Sequence, residues 1–240
     1  MWGRPSSSKP AGPQGLPDAP AERLGAVRDL VSGAARRAGR DPDDVELIAV
    51  SKTHGADAIR PLLDAGQRHF GENRVGEAAG KWPALRAEFP DVRLHMVGAL
   101  QSNKAAEAAA LFHTIHSVDR PSLVDALGAA KRAGGRAPEL FIQVNIGGEP
   151  QKGGCAPGEI GTLLDAARAA ALPVVGLMCL PPATREPAPY FALLAKLARD
   201  HGLAQLSMGM SGDFETAVQL GATHVRVGTL LFGDRSSPRP

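Results

Sequence analysis

Lys52 stands just beyond the short apolar run Leu47-Ile48-Ala49-Val50, in the stretch Glu-Leu-Ile-Ala-Val-Ser-Lys-Thr at 46–53. A branched apolar run of this length suits a strand buried on both faces of a parallel sheet. A residue past such a strand lies at its carboxyl end, where barrels and open α/β sheets place their ligands. A lysine amine shielded from water there loses part of its preference for the charged form, and a neutral amine attacks an aldehyde to form a Schiff base. A solvated lysine after a strand is the plainer reading of the same residues. Two later stretches also carry chemistry. Ser207-Met208-Gly209-Met210-Ser211-Gly212-Asp213 leads into a helical segment and offers glycine-exposed amides and a serine hydroxyl, the ingredients of a phosphate cradle. Ser211 could equally be a plain helix N-cap. Arg226-Val227-Gly228-Thr229 supplies a second glycine followed by a hydroxyl.

The elements that must position these residues follow a regular alternation. A helical pattern over 21–39, with Leu24, Val27, Leu30, Val31 and Ala34 on one face, precedes eight strand-like segments. These lie at 47–51, 68–71, 94–97, 114–118, 140–145, 174–178, 205–207 and 224–227. Helical stretches at 56–65, 75–88, 102–110, 121–133, 157–171, 187–201 and 213–220 separate or follow them. Strands and helices alternating in one run predict an α/β fold, a single (β/α)8 TIM barrel. An open doubly wound sheet competes, but no Gly-x-Gly-x-x-Gly follows the first strand. The expected organisation is a disordered Pro/Ser/Gly-rich tail over 1–20, a barrel over 21–235 and a short tail over 236–240, with no C-terminal β domain.

Composition narrows the partners. The 240 residues are 43% hydrophobic and 22% charged, ordinary globular values. A net charge of +2, 4% aromatics and no basic stripe argue against nucleic acid. No apolar run approaches the roughly 20 residues of a membrane span. Residues 1–20 lack the apolar core of a secretory signal, and their prolines oppose the amphipathic helix of a transit peptide. Cys155 and Cys179 form neither a Cys-x-x-Cys pair nor a disulfide framework, so a reducing cytoplasm is expected. His113 and His116 lack the Glu-containing helical spacing of a zincin, and no metal site is expected.

The remaining strand ends supply further candidates. Asn73 closes Phe70-Gly71-Glu72-Asn73 and offers a donor and an acceptor, or an N-cap. His95 is a candidate base or a core histidine, and Ser102 a good helix N-cap. Asn145 opens the glycine-rich stretch 147–154, which could close over a ligand with Glu149 and Lys152 at its rim, or be merely flexible. Met210 sits in the seventh strand's exit. Cys179 reads as a small apolar residue rather than a nucleophile, since no specific base accompanies it.

Barrels commonly seat phosphate between the loops after strands seven and eight. A reactive lysine on strand one and a phosphate seat across the mouth could hold one small molecule by both ends, and pyridoxal 5'-phosphate (PLP) has both handles. Its aldehyde would meet Lys52 and its phosphate Ser211, Gly228 and Thr229. Arg226, two residues before Gly228 on the same strand face, would point inward near the pyridine nitrogen. A permanent donor there keeps that nitrogen unprotonated and weakens the electron sink.

The motifs Ala49-Val50-Ser51-Lys52-Thr53, Phe70-Gly71-Glu72-Asn73, Val97-Gly98 with Leu100-Gln101-Ser102-Asn103-Lys104, Gly209-Met210-Ser211 with Asp213 and Glu215, and Val225-Arg226-Val227-Gly228-Thr229 with Phe232-Gly233 together resemble the pyridoxal phosphate homeostasis proteins, relatives of the alanine racemase barrel domain. The resemblance runs from the opening helix to Arg235. It implies a monomeric barrel with PLP on Lys52, phosphate contacts from Ser211, Gly228 and Thr229, Arg226 at the pyridine nitrogen and Asn73 near the cofactor. Ala99 stands where the family often has proline and Arg74 where an aromatic is usual. Gln151 and Gly154 also depart from the family pattern, which puts the rim contacts of Glu149 and Lys152 in question.

Three functions follow. The first is an intracellular PLP-binding protein that buffers the cofactor or delivers it to apo PLP-dependent enzymes, without turnover. The second is a racemase-like PLP enzyme using His95 or Lys152 as an unusual base. Racemases resembling this barrel add a β-rich domain whose tyrosine is the opposing base, whereas Tyr190, the chain's only tyrosine, falls in or near a helical stretch. The third is a PLP-independent Schiff-base aldolase, which the motifs disfavour.

Overall fold

The computed structural model describes residues 15–233. Most of the tail expected over 1–20, and the segment after the barrel, lie outside that range. Eight strands, β1 (Glu46–Val50), β2 (His69–Glu72), β3 (Arg93–Met96), β4 (Thr114–Val118), β5 (Glu139–Val144), β6 (Val174–Cys179), β7 (Gln205–Met210) and β8 (His224–Val227), pair in parallel in chain order. β8 closes on β1 with Ile48 opposite Arg226, completing the expected (β/α)8 barrel.

The helices form the outer ring: α1 (Pro20–Arg37), α2 (Ala56–Asp64), α3 (Val75–Glu88), α4 (Ala105–Leu111), α5 (Pro121–Arg132), α6 (Ile160–Ala169), α7 (Ala188–Asp200), α8 (Phe214–Gln219) and α9 (Thr229–Phe232). α1 buries Leu24, Val27, Val31, Ala34 and Ala35, a stripe at helical spacing, against α2, α8 and α9. Leu16, ahead of it, also packs on the core. The strands are apolar on both faces because one face meets these helices and the other fills the barrel.

Inward residues fall into three layers, as strand alternation requires. The lower layer, at the amino ends, includes Glu46, His69, Gln205 and His224. The middle layer mixes Ile48, Phe141 and Met178 with His95, His116, Ser207 and Arg226, all buried. The upper layer, at the carboxyl ends, includes Val50, Asn73, Val97, Leu180 and Gly228. The upper layer floors the candidate site.

Candidate functional site

The turn that carries Lys52 is held from beneath by a buried ion pair. Lys81, on α3, places Nζ 2.8 Å from Glu72 Oε1 and 3.0 Å from Glu77 Oε1, and donates to the carbonyl oxygens of Ser51 at 2.9 Å and His54 at 3.0 Å. Glu72 Oε1 also accepts from Ser51 Oγ at 2.6 Å and Trp82 Nε1 at 3.0 Å. Glu77 accepts the Thr53 N–H at 2.6 Å. Thr53 has φ +65°, a left-handed conformation that costs a β-branched residue of order 1–3 kcal/mol. The network fixes this strained turn, and half-buried Lys52 emerges from it into a pocket at the carboxyl-end mouth. Sequence reasoning missed Lys81 and Glu77, whose i,i+4 spacing reads as an ordinary surface pair.

Across the mouth, the exits of β7 and β8 converge. Gly209 has φ +92°, and a Cβ there would fall 2.6 Å from Ala217 Cβ, so only glycine allows β7 to turn so tightly over α8. Asp213 Oδ1 accepts the Met210 N–H at 2.6 Å and ties the loop back. Ser211 does not cap α8; Asp213 occupies that position. The Ser211 hydroxyl instead accepts a 3.3 Å hydrogen bond from the Gly228 N–H, joining the two loops. Thr229 opens α9 beside them.

Arg226 lies between these walls. It is 4% exposed and lines the pocket, with Nη1 donating to Ser207 Oγ at 2.5 Å and Nη2 to the Cys179 carbonyl at 3.0 Å. Burial pushes its pKa down to about 10, which leaves it charged at neutral pH. Asn73 does not cap α3, whose N-cap position is Arg74; it faces the pocket instead. Gly98 permits this approach, since a Cβ there would come within 2.4 Å of the Asn73 carbonyl oxygen. His54, stacked on Phe232 with ring centroids 4.5 Å apart, and Leu180 complete the lining together with Met210.

One pocket therefore gathers Lys52, Asn73, Met210, Ser211, Arg226, Gly228 and Thr229. Four other sequence candidates lie elsewhere. His95 points into the middle layer, between His69 and His116. Asn145, Glu149 and Lys152 fold upon one another: Asn145 Nδ2 donates to the Glu149 carbonyl at 2.8 Å, and Lys152 Nζ pairs with Glu149 at 2.7 Å. Ser102 begins a short 3-10 turn and its hydroxyl accepts from Arg120 rather than capping a helix. Cys179 is buried, and burial pushes its thiol up to about 12, the opposite of an activated nucleophile. Among the described residues, no cluster of His, Cys, Asp and Glu could hold a metal ion, and no helix is long and apolar enough to cross a membrane.

Residues 23–236 match the family model of the alanine racemase N-terminal domain. The pyridoxal phosphate homeostasis protein of Pseudomonas aeruginosa is 42% identical over 92% of this chain and 97% of its own. That of Escherichia coli K12 is 38% identical over 90% and 96%. Among solved structures, PipY of Synechococcus elongatus PCC7942 with PLP bound superposes with a TM-score of 0.77 at 40% identity, covering 89% of this chain and 100% of that one. An alanine racemase of Clostridium difficile 630, 14% identical with a TM-score of 0.69, shares the fold, and this chain covers 58% of it. Fold, motifs and relatives agree: the chain belongs to the pyridoxal phosphate homeostasis protein family, on the barrel of the alanine racemase N-terminal domain.

Proposed function

We propose that this chain binds PLP in the upper pocket and serves its homeostasis, buffering the cofactor or delivering it to apo PLP-dependent enzymes without turnover of its own. The carrying observation is that one pocket holds a lysine amine on one wall and the joined Ser211 and Gly228 loops on the other, with a buried guanidinium between them. Lys52 would hold the aldehyde carbon as a Schiff base. Ser211, Gly228 and Thr229 would take the phosphate, Arg226 the pyridine nitrogen, and Asn73 a flank of the ring. When bound, the cofactor supplies a reactive aldehyde and an electron sink. Arg226, which only donates, would leave that sink weak.

Support for storage over turnover comes from the bases. His95 and Lys152, the two candidates for proton abstraction, lie outside the pocket, one in the barrel interior and one paired with Glu149. Buried free thiols at Cys155 and Cys179 suit a cytoplasmic setting. The exposed large hydrophobics among the described residues, Leu30, Leu193 and Met210, are few, which suits a monomer.

Borohydride reduction of the PLP-treated protein, followed by peptide mass spectrometry, should place the pyridoxyl group on Lys52. Modification spread over other lysines with Lys52 untouched would refute the assignment. Turnover of a panel of amino acids well above the rate of free PLP, lost in Lys52→Ala, would promote the enzyme reading instead.

A further inference from the structure

A second polar system runs through the barrel beneath the pocket. Arg226 Nη1 donates to Ser207 Oγ at 2.5 Å, and Ser207 Oγ is 2.8 Å from His116 Nδ1. His116 Nε2 is 3.0 Å from His95 Nδ1, and His95 Nε2 is 3.1 Å from His69 Nδ1. His69 Nε2 ends the series 3.2 Å from Glu46 Oε2 at the amino-end mouth. Arg226, Ser207, His116 and His95 are all buried, so a missing partner there carries a full desolvation penalty.

Protons could thread such a chain in either direction, and its ends select one. Arginine only donates, so Arg226 occupies one lone pair of Ser207 Oγ. Were His116 Nδ1 protonated, Ser207 would accept twice and its own hydrogen would be buried without an acceptor. The Ser207 hydroxyl therefore donates to His116 Nδ1, which puts the His116 proton on Nε2. The same step repeats at His95 and at His69. His69 Nε2–H then faces the Glu46 carboxylate, which only accepts, so the lower end favours the direction that the upper end imposes. Each ring must be neutral for this pattern, and burial holds His95 and His116 well below the ordinary histidine range.

We propose that Ser207 and His116 are positioning residues for Arg226, the upper links of a one-way chain to Glu46 that sets the guanidinium so that its remaining N–H groups face the cofactor pocket. The Cys179 carbonyl holds the other edge of the guanidinium at 3.0 Å. The consequence for PLP rests on the cofactor reading of that pocket; the direction of the chain does not.

Two measurements test it. In the protein without PLP, 15N NMR of the histidine rings at neutral pH should show His95 and His116 as neutral Nε2–H tautomers. Nδ1–H tautomers or imidazolium would overturn the direction of the chain. Then His116→Leu and His116→Asn are compared for PLP affinity and for the visible spectrum of the bound cofactor. Both lose the ring that stacks on Phe141 with centroids 4.5 Å apart, but the Asn oxygen restores an acceptor for Ser207. His116→Leu should weaken PLP binding roughly tenfold and shift the spectrum, as expected when a charge-assisted hydrogen-bond system is cut, and His116→Asn should recover most of both. Equal behaviour of the two variants, whether impaired or intact, would overturn the positioning role. A wild-type chain that takes up no PLP would sink the cofactor reading and this use of the chain together, while the tautomers would still decide its direction.

Discussion

The two mouths of the barrel are both rich in polar groups, yet they spend them differently. From the amino-end mouth inward, His69, His95 and His116 pair with one another, and Thr223 takes His224. At the carboxyl end, Arg226, Ser211 and Gly228 are bonded to protein groups, while other polar groups facing the pocket are left open. Lys81 is surrounded by four oxygens, whereas Lys52 Nζ, the Asn73 amide and the Thr229 hydroxyl take no partner within the described residues. A polar group with uncommitted hydrogen-bonding capacity can bind something else; one saturated by its neighbours holds a shape. The contrast separates a binding site from a framework more sharply than residue type does, since both mouths contain cations and hydroxyls.

Lys52→Ala should break the upper mouth as a binding site and leave the framework alone. Covalent retention of PLP, read by visible absorbance after gel filtration, should vanish. Thermal unfolding of the unliganded protein should change by no more than about 0.5 kcal/mol, the usual range for a side chain without a buried partner. Lys81→Met should do the reverse. It strips the cation from Glu72, whose side chain is 0% exposed, and breaking a buried pair this way costs about 3–5 kcal/mol. Chemical denaturation measures this directly. A loss below 1 kcal/mol would mean that water reaches Glu72 and that the turn beneath Lys52 is not locked.

The same contrast explains what could be read from the chain and what could not. Lys52, Ser211, Arg226, Gly228 and Thr229 were legible because they sit at strand ends, and the alternation of strand and helix fixes where strand ends meet. The alternation was clear wherever branched apolar runs made the strands. It faltered at β7, which runs through Gly209 to Met210, three residues beyond the apolar signal, because a glycine with φ +92° looks like a loop. It also faltered at 102–104, which forms a 3-10 turn before α4, and at 229–232, whose four residues are too few to show a period. The histidine chain was hidden for a different reason. Its members lie on β2, β3 and β4, and only the register, Gly71 beside His95 and His95 beside Thr114, brings them together. Nothing local to any one strand encodes that pairing.

Acid should sharpen the comparison from the lower side. Burial is the first cause that lowers the pKa of His69 and of His224, each to about 4, and it also holds His95 and His116 well below the ordinary histidine range. In the unfolded chain these rings titrate near 6.5. The folded state thus binds protons less readily, so the stability they contribute is complete above about pH 6.5 and is lost as pH falls from there toward 4. The limiting slope is about 1.4 kcal/mol per pH unit for each ring that must be charged. Denaturation between pH 7 and 5, above the main carboxylate range, should show this loss. His116→Asn, with one such ring fewer, should show a shallower slope. A flat profile over that interval would mean that the rings already carry charge in the fold, contrary to the neutral histidine chain.

The smallest effect should come from the glycine-rich loop after β5, a third way of spending polar groups. Lys152 and Glu149 looked like rim ligands in the sequence, but the loop consumes its own valence. Asn145 donates to the carbonyls of Glu149 and Lys152 and accepts the Glu149 N–H, and Lys152 Nζ reaches the Pro181 carbonyl at 2.9 Å as well as Glu149. The pair is partly exposed, 29% and 26%, so it lies closer to a surface salt bridge than to Lys81 and Glu72. Lys152→Ala should therefore cost no more than about 1 kcal/mol in stability. PLP affinity, measured by fluorescence titration, should stay within about twofold of wild type, since a change of that size is only about 0.4 kcal/mol. A tenfold loss of affinity with stability unchanged would show that this loop opens to reach the cofactor, and would move Lys152 from the framework to the binding site.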